Sequence, residues 1–238
     1  MNPMWASDLV DRAGKKLSAL AESDLKDSGF AVFYCPVPEY TDLLILGFNP
    51  GGGSNDFDQK GAIPQQHEYV DCNYPLAKAT RELFGQSGYL WLLKQSVKSN
   101  LQFFRTKNVA SWNQIAEETR QELTEFCDQG VKEIVSRLRP KAILLEGVQT
   151  FDVFRSRIFP SLLCERNVSD ARLRGRRVYI SQHSSMGLIV GILHLSGARP
   201  HASAADKAII SERLKSDLSS VGFLPRRDQP QPQDELVS

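Results

Sequence analysis

Four short stretches hold residue types able to recognise a polar ligand. Asn49 closes an apolar run, "LLILGFNPGGGSND", and precedes Pro50 and the triglycine Gly51-Gly52-Gly53. Asn100 lies in "SVKSNLQFFR". His194 stands in "GLIVGILHLSG", followed by Leu195, Ser196 and Gly197. Arg166, Arg172, Arg174, Arg176 and Arg177 cluster within twelve residues. Amides offer one donor face and one acceptor face, and imidazole offers either. Brought together, two amides, one imidazole and a glycine-rich turn make a neutral, hydrogen-bonding site. No pair of Asp or Glu residues occupies comparable positions, since Asp56 and Asp58 fall in the loop after Asn49. Cys35, Cys72, Cys127 and Cys164 are widely spaced without a C-x-x-C pair, so no metal site is expected. They read as free thiols of a reducing cytoplasm.

These residues can converge only if the elements carrying them end at one place. "DLLILGF", "SVKSNLQFFR", "KAILLEGV" and "GLIVGILHLSG" read as core strands, the apolar ones covered on both faces. "RRVYISQ" is a further strand candidate, and "FAVFYCPVPEY" is extended and broken by Pro36 and Pro38. Residues 5–28 have helical spacing through Leu9, Val10, Ala13, Leu17, Leu20 and Ala21. "YPLAKATRELFGQ" reads as a helix opened by Pro75. A third helix carries Leu123, Cys127, Val131, Ile134, Val135 and Leu138 on one stripe and stops at Pro140. "QTFDVFRSRIFPSLL" and "ASAADKAIISERLKSDLSSVG" complete the helices. Strands alternating with helices predict an α/β layered fold with a mostly parallel sheet. Ligands of such sheets bind beyond the carboxyl ends of the strands, where Asn49, Asn100 and His194 would then lie.

The chain has 238 residues, 41% of them hydrophobic and 24% charged, enough for one generous domain. Residues 1–224 read as that domain and 225–238 as a disordered tail. The net charge of +1 does not mark the whole chain as a nucleic-acid binder, although a local patch would suffice. There is no apolar run of membrane-spanning length, and the N-terminus lacks a signal's apolar segment.

Taken in order, these stretches resemble the motifs of the uracil-DNA glycosylase superfamily. "LGFNPGGGSND" looks like its first motif, closest to the single-strand-selective and mismatch-specific branches. "SNLQFFR" resembles the strand whose Asn reads the flipped base, and "RLRPKAILLEGVQTF" the passage that follows. "ILHLSGARPHASAADKAIISERLKSDLSSVGFLP" resembles the second motif and closing helix. The resemblance covers roughly residues 40 to 222. It departs at Leu195 and Gly197, where proline is usual, so the turn is less rigid than in relatives.

The resemblance implies a three-layer α/β/α fold with a central, mostly parallel four-stranded sheet. It implies a monofunctional DNA glycosylase, monomeric and cofactor-free, that flips out a pyrimidine nucleotide and leaves an abasic site. Asn49 would position the water. His194 would hydrogen-bond the base carbonyl, on which charge develops as the N-glycosidic bond breaks. Asn100 would read the Watson–Crick edge, in either amide orientation. Gly51, Gly52 and Gly53 would form a wall without side chains beside C5, and Tyr69 or Tyr74 would stack on the base. Ser196, Gly197, Arg199, Arg172, Arg174, Arg176 and Arg177 would contact DNA. His183 is a weaker rival for His194, because no comparable turn and helix follow it.

Three other readings stay open. A wall without side chains would also admit a bulky hydroxymethylated or glucosylated cytosine of phage DNA, making the protein an antiviral enzyme. A DNA-binding or sensing module without catalysis would fit Leu195 and Gly197. A phosphate cradle would need the triglycine to run into a helix, and Pro64 and a long polar loop intervene.

Overall fold

In a computed structural model, residues 2–20, 29–49, 61–106, 109–165, 167–195 and 202–226 are described. Among them six strands form one sheet: β1 (Leu43–Gly47), β2 (Val97–Asn100), β3 (Ala142–Glu146), β4 (Val168–Leu173), β5 (Arg176–Ser184) and β6 (Gly187–Ile192). Their order is β2-β1-β3-β6-β5-β4. The first four in that order are parallel, and β5 runs antiparallel to both β6 and β4.

The expected four-stranded sheet is therefore corrected to a mixed six-stranded one. "RRVYISQ" became β5, and the exposed, charged segment Val168–Leu173 paired with it across a turn at Arg174 and Gly175. β4 lies largely exposed at the sheet edge, where its charged side chains face solvent. It lacks the apolar run by which the core strands announce themselves.

Alternation along the parallel strands separates two cores. Leu44, Leu46, Ile143, Leu145 and Ile189 pack against α1 (Met4–Ala19), α6 (Glu117–Leu138) and α7 (Val148–Val153). Leu43, Ile45, Leu144, Val190 and Ile192 pack against α3 (Pro75–Ser87), α4 (Leu90–Lys94) and α8 (Ala204–Ser220). Two short helices, α2 (Glu68–Asp71) and α5 (Val109–Asn113), are also found among the described residues. The stripe read for α6 is the one it buries. The helix expected over "QTFDVFRSRIFPSLL" breaks after Val153 into a π turn, Phe154–Ile158, and a 3₁₀ turn starting at Pro160. The missing amide hydrogen of proline explains the second break. Beyond the expected domain end, Arg226 still donates its backbone N–H to Gly88 O at 2.8 Å.

Candidate functional site

Parallel pairing puts the carboxyl ends of β1, β2, β3 and β6 at one pole. Gly47 pairs with Asn100, and Glu146 with Ile192. Asn49 and His194 each stand two residues past their strands. The β4–β5 turn reaches the same pole, because Tyr179 pairs with Ile192 and Leu193 N–H donates to Val178 O.

The pole is not neutral, which corrects the sequence reading. Lys98 and Asn100 share one face of β2, and Glu146 closes β3 on the same face. The Lys98 ammonium lies 3.1 Å from Glu146 Oε2, and both side chains are about 95% buried. It also donates to Ser99 O at 2.8 Å and to Asn100 Oδ1 at 3.0 Å. Its three N–H bonds are thus all engaged. The rings of Tyr34 and Tyr69 flank it, with centroids 5.2 and 5.5 Å away. Tyr69 Oη lies 2.7 Å from both Glu146 oxygens and donates to the carboxylate. A buried charge pair is tolerable only with such supplementary hydrogen bonds.

An ammonium can only donate, so the oxygen of the Asn100 amide must face Lys98. Nδ2 then donates to Tyr34 Oη at 2.8 Å. The orientation that the sequence left open is therefore fixed by a neighbour, and both ends of Asn100 are engaged inside the protein. The cluster also dictates Gly47. A Cβ there would lie 2.2 Å from Asn100 Oδ1 and 3.0 Å from Lys98 Nζ, so the glycine permits close approach.

Around this cluster stand Glu68, Tyr74 and Arg105. Burial raises the Glu68 carboxyl from 4.5 to about 7, against the opposing pull of Lys98, a hydrogen bond from Tyr74, and Arg105. Burial likewise pushes the hydroxyls of Tyr34, Tyr69 and Tyr74 up, so each stays a neutral donor. Tyr69, expected to stack on a base, is fully buried beneath Lys98; Tyr74 is half-buried, its ring 6.2 Å from that of Tyr69.

Asn49 is half-buried, and its Nδ2 donates to Thr106 Oγ1 at 2.8 Å. Half-buried His194 accepts the backbone N–H of Ala202 at 2.9 Å on its carbonyl oxygen. Ser203 caps α8, its Oγ and N–H bind Asp206, and Asp206 Oδ2 meets Arg176 at 2.5 Å. Arg177 pairs with Asp152 at 2.5 Å and Arg172 with Asp170 at 3.2 Å. Three arginines of the expected DNA patch are therefore held by carboxylates at this pole. Arg174 sits in the turn itself, with φ 51°. Gly51, Gly52, Gly53, Ser196, Gly197 and Arg199 lie outside the described residues, as does Arg166. His183 lies at the far end of β5, paired with Leu188, away from this pole.

Sequence reasoning missed Lys98, Glu146, Glu68 and Tyr34. A signal existed for two of them. Alternation puts residue 98 on the face of residue 100, and "AILLE" ends a buried strand on a carboxylate. Among the described residues no helix is long and apolar enough to cross a membrane. No protein-family model matches the chain, and no curated protein matches it significantly.

Proposed function

We propose that the chain is a monofunctional DNA glycosylase. It extrudes a pyrimidine nucleotide, uracil or a 5-modified pyrimidine, and hydrolyses the N-glycosidic bond to leave an abasic site. The observation that carries this reading is the common pole: Asn49, Asn100 and His194 all stand at the carboxyl ends of parallel strands of one sheet. The β4–β5 turn beside them brings its arginines to the same edge, where phosphates would pass.

In this reading water is the nucleophile. The C1′–N bond breaks, the base departs as an anion, the C1′–O bond forms to water, and the proton that the water gives up neutralises the base. The sugar passes through an oxocarbenium-like state, as in glycoside hydrolysis generally. His194 donates to the base carbonyl as negative charge accumulates there. Asn49, with its Nδ2 turned to Thr106, directs its carbonyl end away from that hydroxyl, as a water acceptor requires. An amide is a weak base, so its effect is positioning.

The test is release of an abasic site from oligonucleotides carrying uracil, thymine, 5-hydroxymethylcytosine or its glucoside, and from glucosylated phage DNA. Wild type should act on at least one, and His194→Ala should lower that rate by about 100-fold. Inactivity on every substrate would remove the enzyme reading. One observation favours a catalytically inactive DNA-binding module: Asn100 already has both amide ends engaged. Tight binding to a modified strand without product, unchanged by His194→Ala, would decide for that module.

A further inference from the structure

Both residues of the β4–β5 turn have left-handed backbones. Leu173 pairs with Arg176, so Arg174 and Gly175 alone make the connection, with φ of 51° and 79°. A two-residue hairpin turn with both φ values positive favours Asn-Gly. Arginine is disfavoured there, because in this conformation its Cβ crowds the following carbonyl oxygen. Turn chemistry therefore does not account for Arg174.

Contacts within the molecule do not account for it either. The three neighbouring arginines have carboxylate partners: Arg172 meets Asp170 on its own strand, Arg176 meets Asp206 of α8, and Arg177 meets Asp152 of α7. The last two pin the base of the hairpin to the helices on both faces of the sheet. Arg174 is exposed and has no hydrogen bond, ion pair or ring contact among the described residues. Nothing lies within 4 Å of the place a Gly175 Cβ would take, so the tip stands clear of the fold. Strain in a firmly seated turn, on a residue whose charge meets nothing in the chain, points to a contact outside it.

Resting on the reading of this pole as DNA-acting, we infer that Arg174 is the residue of the hairpin that grips a DNA phosphate, and that Arg172, Arg176 and Arg177 seat it. The turn stands at the carboxyl pole, where the strand carrying the extruded nucleotide would cross. A guanidinium presents two parallel N–H groups to the two free oxygens of a phosphodiester. Such a contact carries no base information, so it serves every substrate alike. Strain and anchoring reside in one side chain, and one substitution should therefore move stability and binding in opposite directions.

The experiment is Arg174→Asn in the full chain. Thermal unfolding without DNA is measured beside fluorescence anisotropy on an oligonucleotide carrying a tetrahydrofuran abasic analogue, single-stranded and in duplex. The melting temperature should rise by about 2 °C as the turn relaxes. Affinity for the oligonucleotide should fall by about 10-fold. The slope of log Kd against log salt should flatten by about 1, the mark of one phosphate contact. Arg174→Lys keeps both the charge and the strain, so it should melt like wild type and retain the slope. Unchanged affinity and slope in Arg174→Asn would overturn the inference, leaving Arg174 as a strained surface residue. A melting temperature below wild type would also overturn it, because the side chain would then hold the turn. Either result leaves the glycosylase reading intact when wild type releases a base from the oligonucleotides above. A wild type that binds the analogue but releases no base removes the glycosylase reading, and the slope still decides on Arg174. A wild type that binds no DNA removes both.

Discussion

The two ends of the parallel strands use the same backbone and bury different things. At the carboxyl pole, Lys98, Asn100, Glu146, Tyr34 and Tyr69 are all withdrawn from water and bound to one another. At the amino pole an open groove of about 970 Å³ runs past Tyr40, Asp42, His67, Lys94 and Lys141. Its ion pair, Lys141 with Asp42 at 2.9 Å, keeps 64% and 39% of those side chains exposed. This groove thus holds the more exposed ion pair. A concave surface identifies a binding site only when polar groups converge in it, and the buried polar groups converge at the other end. Burying a charge pair costs stability that a purely structural core would avoid. The carboxyl pole is therefore where the chain retains groups that folding alone does not favour.

Removing one partner of the buried pair tests that contrast most severely. Lys98→Met leaves Glu146 buried with Tyr69 as its donor and frees Asn100 Oδ1 from its fixed contact. Urea denaturation should show a loss of about 3–5 kcal/mol, the usual cost of orphaning a buried charge. The double variant Lys98→Met with Glu146→Leu should recover most of it, because an apolar pair of similar volume carries no desolvation penalty. Should Lys98→Met cost no more than a surface substitution, the two poles would not differ as described.

How this pole was hidden from the sequence follows from the same residues. The core strands and the α6 stripe were legible because apolar periodicity is a local signal. Asn49, Asn100 and His194 were legible as strand-end polar residues, and the parallel order brings them to one pole. The Lys98–Glu146 pair was not, since its partners are 48 positions apart and only the adjacency of β2, β1 and β3 joins them. Glu146 sits across β1 from Lys98, and the missing side chain of Gly47 lets them meet over that strand. β4 was missed for a simpler reason: an exposed, charged edge strand carries no apolar pattern. Gln102 was visible as a residue, but its lack of hydrogen-bond partners among the described residues is a property of the fold.

A smaller effect separates two residues that are neighbours in sequence. His67 lines the amino-pole groove, its Nε2 3.1 Å from Ser96 Oγ, and Glu68 faces the field of Lys98 and Glu146. Burial disfavours the charged form of each, so their pH dependences run in opposite directions. The Glu68 carboxyl is raised from 4.5 to about 7. Its contribution is fully present below pH 4.5 and is lost as pH rises through 7. Glu68→Gln should therefore be more stable than wild type above pH 7, by on the order of 1 kcal/mol once partial exposure is allowed for. His67 is lowered from 6.5, so its contribution is present above that pH and is lost as pH falls below it. Thermal unfolding across pH 4–9 checks both signs. A Glu68→Gln curve parallel to wild type would place Glu68 in water, outside the buried cluster.

The least consequence is expected at the surface pair of the amino pole. Asp42 and Lys141 are close enough for a direct contact, yet both remain hydrated. Water and salt screen them, and holding two mobile side chains costs entropy that offsets much of the attraction. Asp42→Asn should change unfolding stability by less than about 1 kcal/mol, and 0.5 M salt should shrink even that difference. The two ion pairs have nearly the same separation, 2.9 Å here and 3.1 Å between Lys98 and Glu146. Distance cannot distinguish them; desolvation must. A loss at Asp42→Asn equal to that of Lys98→Met would mean that burial does not set the strength of either pair.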